Sequence, residues 1–186
     1  LLRGTLTGLS GAREVEAPAS WSSLRLKLSG SKNDEIIKLV SQLSQIFGDR
    51  SISEDALKLL LNESASITDR REALAGLIAM RFKELPPKLE LLLETELRID
   101  AIRAYSFFDY PEAPSVLLSA YSKFNAEAKR VVVDTLSSRL SYAKELLGAL
   151  QNGKIEKSEI PSYTARSIQN ILGSSFEKVY GKVSEV

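Results

Sequence analysis

With 186 residues, 44% of them hydrophobic and 26% charged, the chain can bury a substantial core, but no apolar run is long enough to cross a bilayer as a helix. Lys and Arg number 25 against 24 Asp and Glu, mixed along the sequence, which leaves no basic field for nucleic acid or an anionic membrane surface. His and Cys are absent and Met80 is the only Met, so this sequence holds no imidazole base, no thiolate nucleophile, no soft metal-ligand set and no attachment point for c-type haem.

The opening residues Leu1-Leu2-Arg3 carry no initiator Met, basic leader or apolar signal region, and a segment cut from a longer polypeptide is expected. Leu2, Leu6 and Leu9 predict a helix over 2–9, closed by Gly11 and followed by a connector over 12–19 that contains Pro18. Trp21, Leu24, Leu26 and Leu28 fit a short helix or an alternating strand; the helix is expected because its neighbours are helical. Asn33 or Ser31 would cap a strong helix over 34–47, stopped by Gly48, with Ile36, Ile37, Leu39, Val40, Leu43 and Phe47 on one broad face.

From there the pattern predicts helices over 53–62, 69–83, 86–94, 96–108, 111–123, 126–139 and 142–152, joined by short polar stretches. Thr68 and Asn125 are the expected N-caps, and Pro86, Pro87 and Pro111 fall in first turns, where a missing amide hydrogen costs nothing. Gly153 closes one helix, 155–161 reads as a loop, and helices over 163–172 and 176–183 complete the chain. No segment pairs convincingly as strands, so the class is all-α.

Three stretches, 69–77, 97–105 and 128–136, repeat one pattern: a charged first turn, two adjacent apolar residues, and a further apolar residue three positions on. Ala73-Leu74, Ala101-Ile102 and Val132-Val133 are equivalent, with spacings of 28 and 31 residues. Imperfect helical repeats of this length predict a HEAT/armadillo-like α-solenoid of stacked antiparallel hairpins. The expected organisation is a single domain over 1–186, with a helical cap over 1–30, hairpins over 31–153 and capping helices over 154–186.

Candidate chemistry is thin. Ser141-Tyr142-Ala143-Lys144 and Ser175-Phe176-Glu177-Lys178 match the Ser-x-x-Lys spacing of penicillin-recognising enzymes, but the companion Ser-Asp-Asn and Lys-Thr-Gly elements are missing. These serines read better as helix starts, with Ser174 and Glu177 spaced as a capping box. Glu90, Glu94, Glu96, Asp100, Asp109 and Glu112 read as a solvated face, and neither an EF-hand loop nor a glycine-rich phosphate loop occurs. The aromatic group Tyr105, Phe107, Phe108 and Tyr110 is expected to pack between repeats, the alternative being an exposed anchor for a partner. Arg70-Arg71 and Lys129-Arg130 start their helices, the wrong end for the macrodipole, so pairing with acids of a neighbouring hairpin is expected, or else an anionic partner. No catalytic, cofactor-binding or metal-ligating residue is assigned.

Two segments go beyond a generic repeat. One runs through Leu1-Leu2-Arg3-Gly4, Leu9-Ser10-Gly11, Ala17-Pro18, Trp21, Leu24 and Leu28 to Phe47-Gly48-Asp49. The other runs from Ser138-Arg139 through Ala143 and Leu146-Leu147-Gly148-Ala149-Leu150-Gln151-Asn152-Gly153-Lys154-Ile155 to Ala165-Arg166, Ile171-Leu172 and Val179-Tyr180-Gly181-Lys182. Together they resemble the helical-repeat region of large exported proteins of planctomycetes and related bacteria, known as membrane-bound dehydrogenases or haem-binding proteins. In that family a sugar-dehydrogenase-like β-propeller commonly precedes the region and a cytochrome module with Cys-x-x-Cys-His follows it. Neither is in this sequence, so the resemblance implies no activity for it. It implies a non-catalytic scaffold in an exported, redox-active protein, whose partners are the flanking domains. An independent adaptor that binds a protein or peptide is the other expectation.

Overall fold

The computed structural model describes residues 1–9, 15, 17–47 and 50–183. Among them the regular structure is entirely helical, as expected, with twelve α-helices and four short 3-10 turns. The expected stops Gly11 and Gly48, and part of the 12–19 connector, lie outside the described residues. The chain divides into two compact units, Leu1–Phe82 and Lys83–Val186.

The first unit contains α1 (Leu2–Gly8), α2 (Trp21–Ser29), α3 (Asp34–Ile46), α4 (Arg50–Leu61) and α5 (Ile67–Ala79). The 21–29 segment is therefore helix rather than strand. α1 and α2 both pack on α3, and the core they form is built on Trp21, Val40, Leu43 and Phe47. The Trp21 and Phe47 rings meet edge to face, 4.9 Å between centroids. α4 packs on α5, and Leu60 of the one and Leu74 and Leu77 of the other are buried.

Local chemistry sets the helix ends. Asn33 caps α3 as expected, its side-chain oxygen accepting from the amides of Glu35 and Ile36. α5 is capped by Ser66 and not by Thr68. Ser66 has extended backbone, φ −61° and ψ 147°, and its hydroxyl accepts from the Asp69 amide at 3.1 Å, which places Thr68 inside the first turn. α5 also stops short of the expected residue 83. Arg81 turns left-handed at φ 53°, and the Phe82 amide reaches back to the Leu77 carbonyl, a Schellman closure made without glycine.

The second unit contains α6 (Pro86–Leu89), α7 (Arg98–Ala104), α8 (Ala113–Ala120), α9 (Ala126–Leu136), α10 (Leu140–Gln151), α11 (Ser162–Leu172) and α12 (Ser174–Tyr180). α7 packs on α9, α8 on α10, and α10 on both α11 and α12. Asn125 caps α9, accepting from the Ala128 amide at 2.9 Å, and Gly153 at φ 73° closes α10, both as expected.

Three helices expected to run on instead tighten into 3-10 turns, Glu90–Leu92, Tyr105–Phe107 and Tyr121–Lys123. The latter two share one sequence, Ala-Tyr-Ser-x-Phe, at Ala104 to Phe108 and Ala120 to Phe124. In both, the Tyr is buried, the Phe is extended, and the Phe amide donates to the Tyr carbonyl. The ring pair thus ends the helix by turning inward.

Three further expectations are corrected. Pro111 lies in a turn ahead of α8, where the Ala113 amide donates to the Tyr110 carbonyl, and Pro114 takes the first helical turn. Ser174 and Glu177 form no capping box, because α12 follows directly on Gly173 at φ 56°, which leaves Ser174 inside the helix. The capping box occurs within 155–161, read as a loop: Glu156 and Glu159 cap each other around the 3-10 turn Lys157–Glu159.

Candidate interaction surface

Three arginines donate to backbone carbonyls near the ends of preceding helical segments. Arg70, itself buried, donates through Nε to the Leu60 carbonyl at 2.9 Å in the first unit. In the second unit Arg98 reaches the Leu93 carbonyl at 2.6 Å and Arg139 the Ser106 carbonyl at 2.7 Å. The last carbonyls of a helix have no partner in their own ladder, and a guanidinium there satisfies both the hydrogen bond and the negative dipole end. Acidic residues were the expected partners of Arg70, whereas its guanidinium donates to a carbonyl.

The aromatic group divides. Tyr105 and Phe108 are buried, Tyr110 stacks on Tyr105 at 6.1 Å, and Phe107 is 46% exposed. The residue that organises them is Tyr142 of α10. Its hydroxyl donates to the Phe108 carbonyl at 2.8 Å and accepts from the Tyr110 amide at 3.0 Å, while Arg139 lies over its ring at 4.9 Å. Burial pushes the Tyr142 phenol up, against the opposing effects of the Tyr110 hydrogen bond and the Arg139 charge.

The Ser-x-x-Lys residues Ser141, Lys144, Ser175 and Lys178 are all exposed, and no hydrogen bond joins either serine to its lysine among the described residues. Glu90, Glu94, Glu96, Asp109 and Glu112 are likewise exposed, and Asp100 is half-buried. Among the described residues no three acids, histidines or cysteines gather as a metal site, and no helix is long and apolar enough to cross a membrane.

What the second unit does offer is a pair of grooves sharing the Phe124 ring. One, about 470 Å³, is lined by Glu90, Glu94, Arg98, Ser119 and Lys123 as well as Phe124. The other, about 460 Å³, lies between the first turn of α9 and the 157–161 segment, lined by Phe124, Lys129, Arg130, Ser158, Glu159 and Pro161. Lys129 pairs with Glu159 at 2.7 Å, as the sequence suggested, and sits over the buried Tyr121 ring at 4.9 Å. Burial opposes ionisation of Glu159, yet the Lys129 ammonium and the Glu156 amide outweigh it and hold the carboxyl below its usual range. The Tyr121 hydroxyl is buried near that carboxylate without a hydrogen-bond partner of good geometry, and burial pushes its phenol up.

Sequence reasoning did not place Tyr142, Glu159 or Phe124 in any site. The Ala-Tyr-Ser-x-Phe repeat and the Glu-x-x-Glu spacing at 156–159 were the available signals. Comparison with protein-family models, curated proteins and solved structures gives no match to this chain.

Proposed function

We propose that the chain is a non-catalytic helical scaffold, its second unit a HEAT-like stack of antiparallel hairpins that presents grooves to a protein partner. One observation carries the reading: in this unit helices pack on helices two along, α7 on α9, α8 on α10 and α10 on α12. Side chains on α9 and at the start of α10 hydrogen-bond to carbonyls 33 or 34 residues earlier, Thr135 to Ile102, Arg139 to Ser106 and Tyr142 to Phe108. That separation is close to the sequence repeat, and through these bonds α9 and the start of α10 close the end of the α7 segment before them.

The resemblance to exported dehydrogenase and haem-binding proteins makes the flanking domains of a larger redox-active polypeptide the favoured partners. An independent adaptor for a protein or peptide is the second reading, favoured by the open grooves on either side of Phe124. The test compares this chain with its full-length gene product, purified with haem and given sugar substrates and an artificial electron acceptor. Haem absorbance and turnover confined to the longer protein support the scaffold; turnover by this chain alone overturns it. A gene product that ends near residue 186 leaves the adaptor.

A further inference from the structure

We propose that the groove between α9 and the 157–161 segment receives an acidic side chain from an extended peptide partner, with Arg130 as the receiving cation. The inference rests on the scaffold reading and names the chemistry of the partner. Three side chains on the groove are ionisable, Lys129, Arg130 and Glu159. Lys129 and Glu159 neutralise each other at 2.7 Å, whereas Arg130 is exposed and makes no ion pair or hydrogen bond among the described residues. The groove therefore carries one uncompensated positive charge, reinforced by the positive end of α9, whose first turn lines it.

Its walls suit a peptide more than a free ion. Phe124 and Pro161 give apolar surface beside the cation, Ser158 adds a hydroxyl, and about 460 Å³ is a ligand-sized space. The frame is already ordered. The Glu156–Glu159 capping box fixes the 3-10 turn, the Lys129–Glu159 pair ties that turn to α9, and Tyr121 supports Lys129 from beneath. A preformed frame spares a ligand the entropy of ordering it. A single free cation is too little for a nucleic-acid backbone, which is bound through many phosphate contacts. The neighbouring groove sets Arg98 and Lys123 against Glu90 and Glu94, so the preference for acid belongs to the Arg130 side.

The test is fluorescence anisotropy on the intact chain, using a short labelled peptide that alternates Glu with Leu and its counterpart with Lys for Glu. The acidic peptide is expected to bind in preference to the basic one. Arg130→Glu should weaken it by at least about tenfold and improve the basic peptide, with Arg130→Gln intermediate. Arg166→Glu, an exposed position on α11 outside the groove, should leave both affinities unchanged. Absent binding, equal binding of the two peptides, or equal losses from Arg130→Glu and Arg166→Glu would overturn the proposal. Those outcomes leave the scaffold reading standing, while turnover by the chain alone would end that reading without altering these affinities.

Discussion

Tyr142 and Tyr121 are both buried tyrosines of the second unit, and removing the hydroxyl from each should have unlike effects. The Tyr142 hydroxyl satisfies two backbone groups of another hairpin, donating to the Phe108 carbonyl at 2.8 Å and accepting from the Tyr110 amide at 3.0 Å. Tyr142→Phe strands both. An unsatisfied buried polar group costs about 1–3 kcal/mol, and because Tyr110 is only half-buried water recovers part of the loss, so about 2 kcal/mol is expected. The Tyr121 hydroxyl makes no hydrogen bond of good geometry and only lies near the Glu159 carboxylate, so Tyr121→Phe should leave stability within about 0.5 kcal/mol of the parent. Urea unfolding followed by far-UV circular dichroism reads the difference. With a slope of about 2 kcal/mol per M, Tyr142→Phe lowers the midpoint by about 1 M and Tyr121→Phe leaves it nearly in place. Equal losses from the two substitutions would refute the reasoning, since they would track burial alone.

The cap of α5 separates sequence expectation from structure: Ser66→Ala should cost about 1 kcal/mol in urea unfolding and Thr68→Ala less than about 0.5 kcal/mol. Phe47→Ala should cost about 3–5 kcal/mol and shift the emission of Trp21, the only tryptophan, because the two rings are in contact. Stability should also fall in acid. Burial opposes ionisation of Asp55, but Ser22, Arg25 and Lys58 together hold its pKa below the usual range, and Glu159 is held down in the same sense. A carboxylate whose folded pKa is depressed contributes stability above its unfolded pKa and loses it as pH falls through the folded value. Urea midpoints should therefore drop as pH goes below about 4, and Glu159→Gln should reduce the dependence; an unchanged pH slope in that variant would count against the Lys129–Glu159 pair.

Most helices were legible because an amphipathic period is written along the chain itself, as in Ile36, Val40 and Leu43 of α3 and Phe47 just after it. Asn125 and Gly153 were legible because each falls where the apolar period breaks and has the chemistry its helix end requires, a side-chain acceptor at the start of α9 and a left-handed backbone after α10. Ser66 was not, since Ser66 and Thr68 both have capping chemistry and only the backbone angles choose between them. The 3-10 endings escaped because a period cannot tell a helix that continues from one that tightens around a buried Tyr. The groove was the least legible part. Its charge depends on which cation Glu159 neutralises, and that choice between Lys129 and Arg130 is made by tertiary packing across 30 residues.

The repeated Ala-Tyr-Ser-x-Phe ending acts as a pair of rulers' marks, and it predicts where this sequence can change length. An extra residue inside α8 would rotate Tyr121 by about 100° about the helix axis, carrying its ring out of the core and Phe124 away from both grooves. An extra residue just after Tyr110 would fall between the two marks without disturbing either, since the Tyr142 bonds end at Phe108 and Tyr110. Insertions in homologous chains should therefore collect around Pro111 and Glu112, and a tag or loop graft placed there should leave both grooves intact.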